Sequence, residues 1–201
     1  MIAPGITLYL LRHGQTEWNT QHRLQGCNHD SPLTDLGRKQ AKLMASILAR
    51  EIGSAHELQF ISSPAKRART TLGLILEELG VESDHASEER IREIDLGEWS
   101  GLTIEQVQTR FPENWKARSG DRWNVPPIGG ENYLTVAERA KSWLAKLSCD
   151  TVAVSHGGFG RVLRGIYSGV DHSQIHALDE PQDCVFRLRD GNITRLESLE
   201  R

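Results

Sequence analysis

The sequence is poor in cysteine, and the few it has are scattered. Cys27, Cys149 and Cys184 are the only three among 201 residues, and they form no Cys-x-x-Cys pair. An odd number of widely separated cysteines argues against a disulfide framework and is typical of a protein in a reducing compartment. We therefore predict a cytoplasmic protein whose cysteines serve as small apolar side chains or loop residues.

Long apolar runs are also missing, and the first residues are not typical of a leader sequence. No stretch approaches the roughly 18 apolar residues that a membrane-spanning helix needs. Residues 1–11, MIAPGITLYLL, carry no basic n-region and continue directly into a strand-like segment. We therefore predict neither a membrane partner nor a secretory signal peptide.

The chain also lacks a marked excess of charge of one sign. Its 24 Lys and Arg residues oppose 27 Asp and Glu residues, and no long basic stretch occurs. Proteins that bind duplex DNA usually present a basic face, so a nucleic acid is not an expected partner. The histidines show no zinc-ligand spacing, and no metal site is predicted. The length fits one domain over residues 1–201.

Short apolar runs alternate with segments of helical periodicity. Strands are predicted at 6–11, 58–61 and 151–154. A terminal hairpin is predicted from two runs at 185–189 and 193–196 around Asp190-Gly191-Asn192. Helices are predicted from Thr34 to a stop at Gly53, from Ser63 to a stop at Gly80, over 134–147, and from Gly157 through Ile166.

Two local features of this pattern have consequences for the fold. Ser63-Pro64 predicts an N-cap serine followed by proline at the first helical position. Residues 84–130 are irregular and contain Trp99, Trp115 and Trp123, so we predict a cap with one or two short helices there. Strands alternating with helices predict an α/β fold, a three-layer α/β/α sandwich around a mostly parallel sheet.

Polar residues follow three of the predicted strands. The first strand leads into Arg12-His13-Gly14, the second into Ser62-Ser63 with Arg67 one helical turn later, and the third into Ser155-His156-Gly157-Gly158. In parallel sheets these ends share one edge, where helix N-termini also point. Helix N-termini and arginines favour anions, and arginine donors match phosphate oxygens. The pattern predicts a phosphate site.

Histidine and a carboxylic acid suit phosphate chemistry at such a site. A neutral imidazole can attack phosphorus and form a covalent intermediate, and nearby Arg12 and Arg67 would keep His13 unprotonated. A carboxylic acid must then protonate the leaving oxygen and activate water. Glu93 is the candidate for this acid, with Asp95 and Glu98 as alternatives.

These residues together resemble the histidine phosphatase superfamily, the group that includes phosphoglycerate mutase. The resemblance rests on Leu11-Arg12-His13-Gly14-Gln15-Thr16-Glu17-Trp18-Asn19, Pro32-Leu33-Thr34 with Gly37, Ser62-Ser63-Pro64 with Lys66-Arg67-Ala68, Glu93 with Gly97 and Trp99, and Ser155-His156-Gly157-Gly158. It covers the chain from about residue 6 to 165. Gln15 stands where the family commonly has glutamate.

The resemblance implies a phosphoglycerate mutase-like fold and a role for each matching residue. His13 would carry the phosphoryl group, Arg12, Arg67 and His156 would hold its oxygens, and Glu93 would donate the proton. Asn19, with Thr16 and the Gly157 amide, would complete the phosphate contacts. The family uses no metal or other cofactor for this step.

Three functions remain open at this point. The favoured one is hydrolysis of a small phosphorylated metabolite, because the stretches 93–99 and 127–132 resemble the smaller phosphatases such as α-ribazole phosphatase. The alternatives are a phosphoglycerate-type mutase and a non-catalytic phosphate-binding protein. A phosphoprotein substrate, the leaving group and the oligomeric state are left open.

Overall fold

A six-stranded sheet forms the centre of the molecule. The computed structural model describes residues 2–27, 29–52, 58–82 and 85–198. The strands lie in the order β3-β2-β4-β1-β5-β6, in which β1, β2, β3 and β4 are parallel and β5 pairs antiparallel with both β1 and β6. They are β1 (Leu8–Arg12), β2 (Gln59–Ser62), β3 (Ala86–Ser87), β4 (Thr151–Ser155), β5 (Val185–Arg189) and β6 (Asn192–Leu196). The mostly parallel sheet and the terminal hairpin confirm the sequence predictions.

Helices cover both faces of this sheet. They are α1 (Glu17–Thr20), α2 (Asp35–Glu51), α3 (Lys66–Leu79), α4 (Ile104–Arg110), α5 (Pro112–Gly120), α6 (Tyr133–Leu144) and α7 (Gly157–Ser168). Short 3₁₀ helices lie at Glu89–Ile91, Gly97–Trp99 and Ile175–Ala177.

The two faces of the sheet carry separate hydrophobic cores. Successive side chains of a strand point to opposite faces. In β1, Leu8 and Leu10 accordingly join the core built with α6 and α7, whereas Tyr9 and Leu11 join the core built with α2 and α3. All four side chains are buried. This arrangement is the predicted three-layer sandwich, and it holds the ends of the central strands rigidly.

The start of α3 differs from the prediction. Ser63 is not the N-cap and Pro64 is not the first helical residue, because the helix begins at Lys66 after Ala65, whose side chain cannot cap it. Asp30 supplies the missing acceptors from another loop, and both of its carboxylate oxygens accept from the first two helical amides. Gly80, in the left-handed region at φ 64°, ends the helix as predicted.

The other predicted helix starts and stops fall close to the observed ones. Thr34 caps α2 by accepting from the amide of Gly37 at 3.0 Å. The predicted stop at Gly53 lies outside the described residues, and α2 itself ends at Glu51. No helix within the described ranges is long and apolar enough to cross a membrane.

The predicted cap segment, 84–130, is partly sheet and partly short helix. Its first residue, 84, lies outside the described part of the chain, and β3 within it forms an edge strand that the sequence pattern did not predict. Farther along, α4 and α5 are two short helices, where one or two were expected. The rings of Trp99 and Trp115 contact each other with centroids 5.6 Å apart, and Trp123 stacks on His172 at 3.5 Å.

Candidate active site

The carboxyl ends of β1, β2 and β4 meet at one edge of the sheet. Arg12 pairs with Ser155 in the parallel register between β1 and β4. Beyond the strands, the amide of His13 donates to the carbonyl of Ser155 at 3.0 Å, and the amide of Ser63 donates to that of Val154 at 2.9 Å. The ladder therefore runs one residue past β1 and β2 and sets the position of His13.

The imidazole of His13 is buried, with 3% of its surface exposed. Its Nδ1 lies 2.8 Å from the carbonyl oxygen of Gly14, which can only accept, so Nδ1 carries the hydrogen. Nε2 is then unprotonated and keeps a lone pair. Burial, with Arg67 and Arg12 close by, holds the pKa of His13 well below its usual value. The ring is therefore neutral at physiological pH.

Arg67 lies beside this lone pair. It is 2% exposed, and its Nε–H donates to Nε2 of His13 at 3.3 Å. The other two nitrogens donate to the carbonyls of His29 at 2.7 Å and Gly26 at 2.8 Å, and Nη1 also contacts Asp30 at 3.1 Å. These bonds fix the guanidinium plane, and they keep a permanent positive charge next to His13.

Arg12 approaches the site from the opposite side. Its Nη1 donates to the carbonyl of Glu180, and its Nε is buried with no partner among the described residues. The Glu180 carboxylate pairs with Arg161 at 3.0 Å. A Cβ on Gly157 would lie 2.8 Å from the carboxylate carbon of Glu180 and 3.1 Å from Cζ of Arg12, so a side chain at this position would displace the Glu180 carboxylate.

The loop after His13 touches the start of α2 backbone to backbone. A Cβ on Gly14 would lie 2.2 Å from the carbonyl oxygen of Gly37, and a Cβ on Gly37 would lie 2.1 Å from that of Gln15. Only glycine fits such an approach. The amide of Gly14 donates to Thr71 Oγ1 at 3.1 Å, so the loop is tied to α3 as well.

Thr16 and Asn19 form a reciprocal cap at the start of α1. The amide of Asn19 donates to Thr16 Oγ1 at 3.2 Å, and the amide of Thr16 donates to Asn19 Oδ1 at 3.1 Å. Gln182, from the loop before β5, donates to the carbonyl of His13 at 3.0 Å and to Asn19 Oδ1 at 3.2 Å. The cap and Gln182 together hold Asn19 beside His13.

Glu93 meets the N-terminus of α7. Its Oε1 accepts from the amides of Ile94 and Phe159, each at 2.9 Å, and its Oε2 accepts from the amide of Gly158 at 3.2 Å. The first amides of a helix have no partner within the helix, so they suit a carboxylate. A Cβ on Gly158 would lie 2.9 Å from Glu93 Oε1 and would push the carboxylate away.

The two alternative acids lie elsewhere. Asp95 Oδ1 accepts from the amide of Gly97 at 2.9 Å, and Glu98 is exposed to solvent. Glu93 lines the cavity above His13, whereas these two carboxylates do not.

His156 packs against His13, with ring centroids 5.2 Å apart. Only 1% of it is exposed, and its Nε2 lies 2.7 Å from Ser63 Oγ. Its Nδ1 has no hydrogen-bond partner among the described residues. Burial, followed by Arg67, lowers its pKa well below the usual value, so this ring is also neutral.

A cavity of about 390 Å³ opens above His13. Arg12, His13, Asn19, Arg67 and Glu93 line it together, so the structure brings these five predicted residues to one space. The other three predicted residues, Thr16, His156 and Gly157, lie next to these but do not line it. Each contacts a lining residue: Thr16 exchanges hydrogen bonds with Asn19, His156 packs on His13, and Gly157 lies against Arg12.

The outer wall of the cavity combines aromatic rings and arginines. Among the described residues, its charged lining consists of two glutamates, Glu93 and Glu180, and six arginines, Arg12, Arg23, Arg67, Arg118, Arg122 and Arg161. Trp99 and Trp115 form part of its apolar wall.

Arg118 is the most unusual member of this wall. It is 6% exposed and lies over the rings of Trp99, at 5.9 Å, and Tyr133, at 5.6 Å. Its Nη1 donates to the carbonyl of Val125 at 2.6 Å, but no carboxylate within the described ranges pairs with it. Burial lowers its pKa to about 10, so it stays charged at neutral pH. Trp99 Nε1, also buried, has no acceptor among the described residues.

Four contributors to the site were not predicted in these roles. They are Asp30, Ser63, Glu180 and Gln182. Ser63 had a usable signal, because it follows a buried strand just as His13 and His156 do. Asp30, Glu180 and Gln182 come from loops, and no local pattern marks them.

A second cavity of about 290 Å³ lies on the other side of Glu93 and is lined by Cys27. Burial, followed by the nearby Asp95, raises the pKa of the Cys27 thiol to about 11. The thiol is protonated at neutral pH and is a poor nucleophile. Among the described residues no group of three or more His, Cys, Asp or Glu side chains could hold a metal ion.

The chain is similar in sequence and in fold to known proteins. Residues 8–194 match the profile of the histidine phosphatase superfamily, branch 1. The chain is 36% identical over 175 residues to phosphoserine phosphatase 1 of Hydrogenobacter thermophilus, an alignment that covers 85% of this chain and 80% of that protein. It is 34% identical over 204 residues to the probable phosphoglycerate mutase GpmB of Escherichia fergusonii, covering 97% and 86% of the two chains.

A solved structure shares the fold at lower identity. A putative alpha-ribazole-5'-P phosphatase from Escherichia coli superposes with a TM-score of 0.83 at 22% identity, and the match covers 96% of both chains. This likeness shows the phosphoglycerate mutase-like fold alone.

Proposed function

The chain belongs to the histidine phosphatase superfamily, branch 1, and from that premise we propose that it is a metal-independent phosphomonoesterase with His13 as the nucleophile. The observation that carries this proposal is the state of the His13 ring. Nδ1–H donates to the carbonyl of Gly14, and Nε2 keeps its lone pair beside the cavity that Arg12 and Arg67 line.

The first step forms a bond between phosphorus and His13 Nε2 and breaks the bond between phosphorus and the ester oxygen. Glu93, protonated at this stage, gives its proton to the leaving oxygen, and the alcohol departs. Support for this role comes from its place in the cavity lining, which neither Asp95 nor Glu98 shares.

The second step returns the site to its starting state. The Glu93 carboxylate takes a proton from water while the water oxygen attacks phosphorus. The bond to His13 Nε2 breaks, inorganic phosphate leaves, and Glu93 is protonated again. The same carboxyl group thus gives up a proton in the first step and takes one up in the second.

Arginines take the part that a metal ion plays in many other phosphatases. Arg12 and Arg67 line the cavity beside His13, and their charge would offset the charge on the phosphoryl oxygens in the transition state. Asn19 lines the same space and would add a polar contact. Among the described residues the buried Nε of Arg12 has no hydrogen-bond partner, so this donor is left for the phosphoryl group. Nδ1 of the neutral His156 ring also lacks a partner there and would add a hydrogen bond rather than charge.

The size and charge of the cavity limit the substrate. A volume of about 390 Å³ is near the lower end of small-molecule sites, which range from about 300 to 1,000 Å³. Six arginines against two glutamates leave more positive charge than one phosphate neutralises. A small phosphorylated metabolite with a second acidic group fits this lining best.

A phosphoglycerate-type mutase is the second candidate, because the similarity to the probable mutase extends over 97% of this chain. A mutase keeps the phosphoryl group in the site and moves it to another oxygen of the same skeleton. The aromatic and arginine-rich wall above His13 serves either reaction, so only the fate of the phosphoryl group separates them.

Phosphate release from a panel of phosphomonoesters, measured in EDTA, tests the proposal. The panel includes 3-phosphoglycerate, and its 2-isomer is monitored in the same samples. We expect steady release from one or more esters and at least a 10³-fold loss in His13→Ala, with no loss in His176→Ala, an exposed histidine outside the cavity. Isomerisation without release would favour the mutase. The absence of both activities would favour a phosphate-binding protein.

A further inference from the structure

The segment that carries Glu93 has no regular secondary structure. Residues 92–96 lie outside every helix and strand, between two 3₁₀ turns. Backbone ladders therefore cannot orient Glu93 as they orient His13. Single contacts from other parts of the chain hold this stretch instead, and one of them is the amide of Glu131, which donates to the carbonyl of Asp95 at 2.8 Å.

Arg139, on α6, holds it from one side. Its Nη1 donates to the carbonyls of Arg90 at 2.8 Å and Arg92 at 2.9 Å, and its Nη2 donates to the carbonyl of Glu93 at 3.3 Å. Only 13% of the Arg139 side chain is exposed. One rigid guanidinium thus holds three backbone carbonyls, two just before Glu93 in the chain and that of Glu93 itself.

Glu131 completes the arrangement. Its carboxylate pairs with Arg139 at 3.2 Å and with Arg92 at 2.9 Å, and it accepts from the amide of Asp95 at 2.9 Å. The Glu131 side chain is 11% exposed. The chain is therefore held on both sides of Glu93, before it by Arg139 and after it by Glu131.

Arg139 also reaches the partner of the Glu93 carboxylate. Its guanidinium lies over the ring of Phe159 at 5.1 Å, and the amide of Phe159 donates to Glu93 Oε1 at 2.9 Å. Both the backbone of Glu93 and one of its carboxylate donors therefore contact the same arginine.

We infer that the Arg139–Glu131 ion pair is a positioning device for the proton carrier Glu93. The inference rests on the proposed function, since it assigns the pair to the proton-transfer role of that site. Neither residue lines the cavity, so both act through Glu93 rather than on the substrate. A proton carrier must lie within hydrogen-bond reach of its target, and small displacements cost rate.

The dependence of the rate on the leaving group distinguishes a positioning role for Arg139 from a general role in stabilising the fold. A poor leaving group, such as an alkyl phosphate, needs a proton at its oxygen, whereas p-nitrophenolate leaves without one. We expect Arg139→Met to lower kcat/KM, which reports the first step, by about 10²-fold for an alkyl phosphate and by less than about 5-fold for p-nitrophenyl phosphate. The value of kcat also includes the second step, in which Glu93 acts as the base, so kcat should fall for both esters.

Two further variants complete the design. Arg139→Lys keeps the charge and one donor group, so it should recover part of the lost alkyl phosphate turnover. In a Glu93→Gln background, Arg139→Met should add less than about 3-fold, because no proton carrier remains to be positioned. Arg187→Met breaks another arginine–glutamate pair, on β5, and should leave the ratio between the two esters unchanged.

The outcomes are distinct. Absence of phosphate release by the wild-type protein would overturn the proposed function itself. An active wild type whose Arg139→Met variant loses kcat/KM equally for both esters, or whose losses multiply fully with those of Glu93→Gln, would overturn the inference alone. If Arg139→Met does not fold, the same comparison of an alkyl phosphate with p-nitrophenyl phosphate is made in Glu131→Gln and Arg139→Lys, and it decides the question in the same way.

Discussion

Arg67 donates its Nε–H to Nε2 of His13 across 3.3 Å, so a permanent cation lies on the lone pair that would attack phosphorus. This contact orients the ring and disfavours its protonation, but it also competes with the attack. A bound phosphoryl oxygen would offer Arg67 a stronger, charged acceptor and release the lone pair. The same arginine would then hold the group that His13 attacks.

The neutral state of the two buried histidines predicts how stability depends on pH. In the unfolded chain a histidine takes up a proton near pH 6.5, whereas folding lowers the pKa of His13 and His156 well below that value. Below about pH 6.5 the unfolded state therefore binds more protons, and stability falls as the pH falls. The slope is at most about 1.4 kcal/mol per pH unit for each histidine.

Urea unfolding between pH 7 and pH 5 measures this slope. His13→Gln should make the free energy of unfolding less dependent on pH in that window. His176→Gln removes an exposed histidine and should not alter the slope. Equal slopes in the wild type and His13→Gln would contradict the lowered pKa of His13.

Glu93→Gln should separate the two chemical steps. With p-nitrophenyl phosphate the first step needs no proton, so p-nitrophenol should appear in a burst of about one equivalent per enzyme. The second step lacks its base, and steady turnover should fall by about 10²–10⁴-fold. Rapid mixing measures the burst, and the phosphoenzyme should be stable to alkali but labile to acid. A slow linear release without a burst would mean that another group activates the water.

The residues at the strand ends could be predicted because two local signals coincide there. Arg12 and His13 follow a short apolar run, and Ser155 and His156 follow another, so parallel pairing alone brings them to one edge. Arg67 could be predicted because it lies one turn into the helix that follows the next strand. The fold class followed from the same alternation of strands and helices.

The supporting contacts could not be predicted from local pattern. Asp30 caps α3 from a loop that precedes α2, and it takes the role that the sequence suggested for Ser63. Gln182 reaches His13 from the far end of the chain. Such pairings depend on how loops cross the edge of the sheet, and neither periodicity nor turn chemistry encodes that path.

The backbone contact at Gly14 predicts a large difference between two glycine substitutions. In Gly14→Ala the new Cβ would lie 2.2 Å from the carbonyl oxygen of Gly37, so the loop after His13 must shift. We expect a loss of about 1–3 kcal/mol in the free energy of unfolding, together with reduced turnover.

Gly73→Ala is the matched control. Gly73 lies inside α3, and a Cβ there meets no atom within 4 Å. Alanine favours a helix over glycine by about 0.5–1 kcal/mol, so this variant should be more stable than the wild type. Urea unfolding compares the two variants, and an equal loss in both would contradict the close approach at Gly14.

The buried Arg118 predicts a preference for an acidic leaving group. A buried guanidinium without a carboxylate partner among the described residues is costly unless a ligand supplies the anion. 3-Phosphoglycerate and glycerol 3-phosphate differ in carrying a carboxylate or a hydroxymethyl group at the same carbon. The wild type should prefer the carboxylated ester in kcat/KM, and Arg118→Met should reduce that preference by about 10–100-fold, since a charge-assisted hydrogen bond contributes about 1.5–3 kcal/mol. Lys116→Met removes a positive charge from the exposed side of the same helix and should leave the preference unchanged. A wild type that treats the two esters alike would mean that Arg118 serves packing against Trp99 and Tyr133 rather than recognition of an acidic leaving group.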